Sequence, residues 1–180
     1  AIEVKPDNEL GIEITTPHYV NNNRVELSAT TEEDATCSYK KSKDATKRDF
    51  QVTGGTEHTK HLTMEEGEYT IGVYCEKRGD ETSLAYKEIV VDTTKPLMKI
   101  LTSSKTCSLE EISGRLLTNG TGAPIKSYSY SINNGSSTVA SAEIARGNFT
   151  ERFSLVKGST YIINAQATDK AGNTVEESKT

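Results

Sequence analysis

The sequence predicts an all-β protein made of two antiparallel β-sandwiches in tandem. Short apolar–polar alternations, turn-forming Gly and Asn residues between them, and a high content of Thr support this prediction. Thr contributes 24 and Ser 17 of the 180 residues, and Thr suits the half-buried surface of a strand better than the interior of a helix. Since no stretch keeps a period of 3.6 residues, we expect no long helix.

The strands are predicted from the alternation of core-facing residues with water-facing residues. Two dipeptides, Asn119-Gly120 and Asn134-Gly135, predict tight hairpin turns, because both central residues of such turns need a positive φ. One helical turn is compatible with residues 108–112. The clearest alternating runs are Val25–Ala29, Tyr69–Cys75, Tyr128–Ile132 and Tyr161–Ala167.

A boundary between the two domains is predicted near Pro96. An apolar strand ends just before this proline, which cannot donate a ladder hydrogen bond and is typical of a strand edge or a linker. The segments Gly67–Tyr69 and Gly158–Tyr161 each lead into a strand, which indicates an internal repeat of about 90 residues. We therefore predict domains at residues 1–94 and 95–180.

Composition and charge exclude several classes of protein. Hydrophobic residues make up 33% and charged residues 26% of the chain, in short alternating runs that argue against global disorder. No apolar run approaches the roughly 18 residues needed to span a membrane. The net charge is −5 and no Lys/Arg cluster stands out, so we expect no nucleic-acid partner. The chain begins at Ala1, so we expect a removed signal peptide or a piece of a longer protein.

Six segments have a pattern in common with a known family. They are Ala167–Thr174 with its Asp-x-Ala-Gly-Asn turn, Val91–Pro96, Glu111–Gly114, Gly147–Thr150, Cys37–Tyr39 and Gly67–Tyr69. Together they resemble the Ig-like repeats of bacterial and archaeal cell-surface proteins, over nearly the whole chain. The resemblance implies two tandem Ig-like antiparallel β-sandwich domains outside the cell. Members of this family serve as spacers, stalks, adhesins and filament subunits, and the absence of Trp distinguishes the chain from an antibody domain.

Two of the three cysteines are predicted to form a disulfide. Cys75 shares a strand face with inward apolar residues, and Cys37 lies two residues before Tyr39 in a short strand. A bridge closing about 38 residues contributes roughly 4 kcal/mol in the chain-entropy model, and it implies an oxidising compartment or an extremophile cytosol. Two buried free thiols are the alternative. When the two halves of the chain are aligned, Cys37 falls on the third strand of its domain. The bridge is therefore expected to link neighbouring strands of one sheet. In the second domain Tyr128 and Ala167 align with the two cysteines, and this large–small pair is expected to fill the space of the disulfide.

Two tyrosines are predicted to be structural. Tyr69 and Tyr161 each follow a glycine closely at the start of the penultimate strand of their domain. This is the position of a tyrosine corner, in which the ring packs inside and the hydroxyl bonds to nearby backbone. Stacking on a ligand is the alternative.

The remaining cysteine and the histidines are predicted to have no metal or catalytic role. Cys107 is expected to be a buried or inert thiol, with an intermolecular bond as the alternative. His58 and His61 lie three apart, so on a strand they face opposite sides and cannot share a metal. We expect both to be exposed or packed on a loop, assign no role to His18, and expect no cofactor.

Asp169 and Asn173 bracket the turn after the penultimate strand of the second domain. The predicted role is a hydrogen bond from the turn backbone to the aspartate, which fixes the turn. A calcium ion is a weak alternative, because it needs six to eight oxygen ligands, and a Lys–Asn isopeptide bond is a third.

Three sequons fall in or beside predicted loops. Asn119, Asn134 and Asn148 each begin an Asn-x-Ser/Thr triplet, which is the acceptor sequence for N-glycosylation in a secreted protein. Since Thr, Ser and Asn are abundant, chance matches are the alternative.

No enzyme signature is present in the sequence, and a sandwich of about 90 residues has little room for a cleft. We therefore predict a non-enzymatic extracellular structural or adhesive protein, a subunit of a pilus-like filament or another cell-surface assembly. The alternative is a carbohydrate-binding or spacer module that accompanies a secreted enzyme. Against it, the 8 Tyr and 3 Phe lie mostly at inward positions rather than in an exposed row. Glycans and cell-envelope components are the other expected partners.

Self-assembly from head to tail is predicted from charge and from the last strand. Residues 1–94 carry 11 Lys/Arg and 19 Asp/Glu, whereas residues 95–180 carry 10 and 7, and opposite signs favour contact between unlike domains. Residues 174–180 offer only Val175 to the core, which leaves an edge able to recruit a strand. The candidate donor-strand residues at the N-terminus are Ile2, Val4, Leu10, Ile12 and Ile14.

Overall fold

The computed structural model describes residues 10–77, 82–102, 111–119, 122–152, 156 and 158–180. Within these ranges every regular element is a β-strand, and there is no helix long and apolar enough to cross a membrane. The chain divides into two compact units, Ala1–Thr93 and Thr94–Thr180, and each unit has its own hydrophobic core.

The first domain is a sandwich of a three-stranded and a five-stranded sheet. The sheet orders are β1-β3-β6 and β2-β8-β7-β4-β5. All neighbours are antiparallel except β2 and β8, which run parallel. The strands are β1 (Glu13–Ile14), β2 (Tyr19–Val20), β3 (Arg24–Thr30), β4 (Thr36–Lys41), β5 (Arg48–Asp49), β6 (Glu57–Thr63), β7 (Gly67–Glu76) and β8 (Thr82–Val91).

The N-terminal part of the first domain is shared between both sheets. Ile14 on β1 pairs with Ala29 on β3, and Tyr19 on β2 pairs with Val90 on β8. Pro17 lies between the two short strands, where its missing N–H costs no ladder hydrogen bond. The segment therefore covers one edge of each sheet, which protects those edges from pairing with other chains.

The core of the first domain forms where every second residue of each sheet turns inward. Leu27 on β3, Ile71 and Val73 on β7, and Ile89 on β8 are fully buried. Burial of one such side chain contributes about 1.5–3 kcal/mol, so a one-residue slip of any strand would expose its whole apolar row. The rest of the core consists of Leu10, Ile12, Ile14, Val25, Ala29, Ala35, Cys37, Tyr39, Phe50, Leu62, Met64, Cys75 and Val91.

The second domain is a sandwich of a three-stranded and a four-stranded sheet, and all of its neighbouring strands are antiparallel. The sheet orders are β13-β10-β9 and β12-β11-β14-β15. The strands are β9 (Leu97–Thr102), β10 (Glu111–Asn119), β11 (Ile125–Asn134), β12 (Ser137–Ile144), β13 (Asn148–Arg152), β14 (Tyr161–Asp169) and β15 (Thr174–Lys179).

An aromatic stack joins the two sheets of the second domain. The rings of Tyr130 on β11 and Phe149 on β13 stack with centroids 4.4 Å apart. A Cβ at Gly114 would overlap the Phe149 ring, so glycine gives the ring its place. The Tyr130 hydroxyl donates to the Glu151 carboxylate. Burial and this acidic partner raise the pKa of Tyr130 to about 12, so the hydroxyl stays a donor at physiological pH.

The alternating runs in the sequence are strands in the structure. They lie within β3, β7, β11 and β14. The helical turn suggested for residues 108–112 is wrong where the structure describes it, because Glu111 and Ile112 belong to β10 and pair with β13.

The two predicted hairpin turns differ from the observed turns. Asn119 ends β10, but the next strand, β11, belongs to the other sheet, so the dipeptide does not close a hairpin. At the second site Asn134 still pairs with Ser137, and the two-residue loop is Gly135-Ser136. Gly135 has a φ of 60°, which is the left-handed conformation that glycine adopts without strain.

Both predicted tyrosine corners are present. The Tyr69 hydroxyl donates to the Glu65 carbonyl oxygen at 3.0 Å. The Tyr161 hydroxyl oxygen accepts the backbone N–H of Val156 at 3.0 Å. Each tyrosine therefore ties the loop before the penultimate strand to the start of that strand.

We expect Tyr69→Phe to lower the free energy of unfolding of the first domain by about 0.5–1.5 kcal/mol, the usual net contribution of one hydrogen bond. Tyr161→Phe should act by a similar amount on the second domain alone. Differential scanning calorimetry of the full chain resolves the two cases, and each variant is the control for the other. If both variants shifted the same transition, the corners would not be local to their domains.

Candidate functional site

A disulfide between Cys37 and Cys75 lies in the middle of the first domain. The sulfur atoms are bonded at 1.97 Å and the Cα atoms lie 4.1 Å apart. Both residues are fully buried. They oppose each other directly in the β4–β7 pair, so the bridge links neighbouring strands of one sheet, as the repeat implied.

The backbone of Cys37 shows why the two sulfurs can meet. Its N–H donates to the Thr53 hydroxyl at 2.7 Å, and its carbonyl oxygen accepts the N–H of Phe50 at 3.3 Å. Both groups therefore turn away from β7, which identifies Cys37 and Cys75 as a non-hydrogen-bonded pair, the closer of the two antiparallel pair types. In the second domain Tyr128 opposes Ala167 at the corresponding place.

His58 lies beside the disulfide and is fully buried, with 0% of its surface exposed. The expectation of an exposed or loop-packed histidine is wrong for this residue, because β6 extends through residues 57–63 and turns His58 inward. The same alternation turns His61 outward, where 68% of its side chain is exposed. Burial lowers the pKa of His58, so the imidazole is neutral at neutral pH.

Two threonines fix the tautomer of His58. The Thr31 hydroxyl donates its proton to the Glu33 carbonyl oxygen at 2.8 Å, so it accepts the Nε2–H of His58 at 3.0 Å. Nδ1 then carries the lone pair and accepts from the Thr53 hydroxyl at 3.0 Å. Because Thr53 also binds the Cys37 N–H, one hydrogen-bonded chain joins the imidazole to the disulfide strand.

In the part of the chain that the structure describes, three residues with metal-ligating side chains come together. Ligand atoms of Cys37, His58 and Cys75 lie within 4.8 Å of one another. Metal binding requires thiolates, whereas the disulfide holds both sulfurs in a covalent bond and both ring nitrogens already have hydrogen-bond partners. The arrangement therefore acts as a packed structural cluster.

Asp169 and Asn173 form the turn that the sequence predicted. One carboxylate oxygen of Asp169 accepts the backbone N–H groups of Gly172 and Asn173 at 2.8 and 2.9 Å. The other accepts the side-chain amide of Asn173 at 3.0 Å. Donors therefore occupy both carboxylate oxygens, and this arrangement fixes the turn between β14 and β15.

The sequons occupy three different settings. Asn148 is exposed at the start of β13, and Asn134 is half-buried at the end of β11. Asn119 ends β10, and its side chain lies outside the described part of the chain. Of the two sequon asparagines whose side chains are described, Asn148 is therefore the more accessible to a glycan.

The candidate donor strand is already used inside its own domain. Leu10, Ile12 and Ile14 are buried in the first core, and Ile14 pairs with β3. Donating them to a neighbour would expose this core, at about 1.5–3 kcal/mol for each side chain, so a freely available donor at residues 10–14 is wrong. The other donor candidates, Ile2 and Val4, lie outside the described residues, as does Cys107.

Tyr74 on β7 and Tyr86 on β8 lie side by side on the outer face of their sheet. We call these two tyrosines and Gly72, which lies between them, the tyrosine patch. Gly72 opposes Tyr86 directly. A Cβ on Gly72 would come within 3.0 Å of the Tyr86 ring and 3.2 Å of the Tyr74 ring, so the two rings close over the glycine. Tyr86 remains 56% exposed.

Cations border the tyrosine patch on the side of β4. Lys40 opposes Gly72 in the sheet, and the Lys47 ammonium lies 3.8 Å from the centroid of the Tyr74 ring. Burial and a hydrogen bond to Tyr86 raise the pKa of Tyr74.

The expectation that no Lys/Arg cluster stands out is wrong for this part of the chain, because residues 40–48 contain five Lys/Arg and one Asp.

The tyrosine patch is an exception to the expectation that the aromatic residues lie mostly at inward positions. The inward row Tyr69, Ile71, Val73 and Cys75 requires Tyr74 to face outward. Tyr86 joins it only through the register of β7 and β8, which alternation within one strand does not reveal.

Reduction of the Cys37–Cys75 disulfide should lower the free energy of unfolding of the first domain by about 2–5 kcal/mol, the range for native disulfides. The unfolding transition of the second domain should stay in place. Calorimetry with and without a dithiol reductant measures both, and the double variant Cys37→Ala, Cys75→Ala should reproduce the reduced state. Two free thiols in protein isolated from its native host would contradict the prediction.

Acidification should destabilise the first domain through His58. The pKa of His58 is lowered in the folded state. Near pH 6.5 the imidazole therefore binds a proton in the unfolded chain but not in the folded chain. Stability is therefore full above about pH 6.5 and falls as the pH drops below that value. His58→Gln should cost about 1–3 kcal/mol at pH 7 by disturbing buried hydrogen bonds.

The same variant should flatten the stability change between about pH 7 and pH 5.5, since Gln does not titrate, whereas His61→Gln on the exposed face should leave that change intact. Chemical denaturation at each pH measures the slope. An unchanged slope in His58→Gln would show that another group causes the acid sensitivity.

Comparison with known proteins gives structural matches at low sequence identity. Over 93% of its length the chain is similar to fibronectin(III)-like modules of Clostridium thermocellum CbhA, at 12% identity and a TM-score of 0.56, covering 90% of that structure. Over 93% of its length it is also similar to domains A168–A170 of titin, at 14% identity and a TM-score of 0.54, covering 65% of that structure. No protein-family model and no curated protein matches the chain.

These similarities concern the fold alone. They agree with the pairing observed in each domain, where a three-stranded sheet packs on a sheet of four or five strands. The chain has the fold of two tandem fibronectin type III or Ig-like β-sandwich domains.

Proposed function

We propose that this chain is a non-enzymatic structural or adhesive module of an extracellular, cell-surface assembly. The observation that carries the proposal is the buried Cys37–Cys75 disulfide at the centre of a sandwich domain. Disulfides of this kind form and persist in oxidising compartments outside the cytosol. Sandwich domains of the fibronectin type III and Ig-like class are typically non-catalytic modules.

The surface of the second domain supports a non-enzymatic role. One depression of this domain, about 360 Å³, is open and lies on the outer face of β11, β14 and β15. Ser129, Ser131, Asn164, Gln166 and Glu176 are among the side chains that line it. Such a shallow polar face lacks the enclosed apolar walls that bury a small-molecule substrate.

A second candidate function is a spacer or carbohydrate-binding module that accompanies a secreted enzyme. The structural similarity to the CbhA modules favours it, although at 12% identity this similarity concerns the fold. The tyrosine patch is the feature of the first domain that such a role would use.

The finer proposal is that copies of the chain join head to tail into a filament. Residues 1–94 carry a net charge of −8 and residues 95–180 a net charge of +3, which favours contact of a first domain with a second domain of another copy. An interface between unlike surfaces does not close on itself and generates a fibre.

The last strand offers an edge for such a contact. β15 ends its sheet, and within the described residues no strand pairs with its outer side. The Asp169 N–H donates to the Asn173 carbonyl oxygen at 3.0 Å, which marks the first hydrogen-bonded pair of the β14–β15 ladder. Since hydrogen-bonded and non-hydrogen-bonded pairs alternate, the N–H of Glu176 points to the open edge, where another chain could accept it.

We expect Glu176→Pro to abolish self-association without unfolding the domain. Proline removes the N–H that faces the open edge, and such edge positions tolerate proline. Glu176→Gln keeps the N–H and is the matched control. Sedimentation velocity and electron microscopy of the full chain measure assembly, and circular dichroism checks the fold.

Salt tests the contribution of charge to the association in the same experiment. Salt of about 1 M shortens the screening length to about 3 Å and should weaken the association of the control variant. If Glu176→Pro and Glu176→Gln assemble equally, pairing at the β15 edge is wrong. If the wild-type chain remains a monomer under all conditions and on native cells, the filament is wrong.

A further inference from the structure

We propose that the tyrosine patch binds an anionic polysaccharide, one whose pyranose rings carry carboxylate groups. The patch brings together the exposed ring of Tyr86, the ring of Tyr74 beside it and the Lys47 ammonium over Tyr74. The proposal rests on the extracellular role proposed above only for the supply of such a ligand. Binding is measured on the purified chain, so its failure is distinct from a failure of assembly.

The aromatic part of the site is Tyr86. With 56% of its surface exposed, its ring can receive the apolar C–H face of a pyranose, as amphipathic aromatic rings do at many binding surfaces. Tyr74 is less available because the Lys47 ammonium already lies 3.8 Å from its ring centroid. Gly72 allows the two rings to lie close together, since a Cβ there would press on both of them.

The charges around the patch select an anion and set its direction. Lys40 opposes Gly72 on the β4 side, and Lys47 lies over Tyr74 on the same side. Two other cations of this segment, Lys41 and Arg48, lie 3.8 Å from the Asp44 carboxylate, and Asp49 opposes Ser38 at the far edge. On the other side Glu88 faces outward two residues beyond Tyr86. A sugar stacked on Tyr86 would therefore turn its carboxylate toward β4, and Glu88 would repel the opposite orientation.

The charge of the whole domain sharpens this selection. Residues 40–49 hold five Lys/Arg and two Asp, while the rest of residues 1–94 holds six Lys/Arg and seventeen Asp/Glu. A polyanion is repelled by most of this domain and attracted to one segment, so the field of the domain guides it to the patch.

The rim adds a group that suits a carbohydrate. Ser38 lies directly opposite Tyr74 and is half-buried, which places a hydroxyl beside the aromatic rings. A hydroxyl can both donate to and accept from sugar hydroxyls. Because β7 lies between Tyr86 and the two β4 residues, and strands are about 4.8 Å apart, stacking on Tyr86, charge pairing with Lys40 or Lys47 and hydrogen bonding at Ser38 act on neighbouring sugar units of one polysaccharide.

The test compares polygalacturonate with its fully methyl-esterified form, which has the same rings without charge. We expect the intact, oxidised chain to bind polygalacturonate and to bind the ester at least about tenfold more weakly in isothermal titration calorimetry, the change that an energetically dominant contact gives. Tyr86→Thr should weaken binding by about tenfold and Lys47→Gln by about fivefold. Lys60→Gln, on the other sheet, should bind as the wild type.

Tyr86→Phe separates stacking from folding, because it keeps the ring and should keep the binding. Thermal unfolding of every variant identifies any that are destabilised. The proposal is overturned if polygalacturonate does not bind, or if Tyr86→Thr is folded and binds unchanged. Equal binding of dextran sulfate in wild type and Tyr86→Thr would show polyanion adsorption, and stronger binding of polyglutamate would show an acidic-peptide site. Either result overturns it.

Discussion

The register between β4 and β7 is the constraint on which the first domain depends. Cys37 opposes Cys75, and their disulfide fixes that register covalently. Since a slip of one residue would exchange the two faces of a strand, this one pairing keeps Ile71 and Val73 in the core. The same pairing places Gly72 and Tyr74 on the outer face, where Lys40 lies opposite Gly72.

The second domain keeps the corresponding register without a covalent bond. Tyr128 and Ala167 stand where the cysteines stand in the first domain, a large and a small side chain in place of two linked sulfurs. Tyr130 then stacks on Phe149 across the core. Packing of complementary sizes therefore replaces the disulfide, and the two domains keep a common strand order with different stabilising chemistry.

Alternation within a strand could be read from the sequence, and pairing between strands could not. It gave the inward row that ends at Cys75, and the internal repeat gave the partner strand of Cys37. Alternation does not predict contacts that depend on the register of a neighbouring strand or on the sheet to which a strand belongs. Tyr86 reaches Tyr74 only through the β7–β8 register, and Asn119-Gly120 closes no hairpin because β10 and β11 belong to different sheets. The burial of His58 depends on where β6 begins and ends, which the sequence alone does not show.

The separation of inner and outer rows explains how one domain can be both rigid and available for binding. The disulfide, His58 and the two threonines that bind its ring occupy the inner side, and all of them except the half-buried Thr53 are buried. The side chains on the outer face are therefore not needed to hold the register of β4 and β7. Gly72, which leaves a gap in that outer surface, is tolerated because the inner row supplies the stability that a glycine in a strand does not. The tyrosine patch is thus a consequence of a strongly held core: the rings of Tyr74 and Tyr86 cover the gap, and the exposed part of Tyr86 remains for a partner.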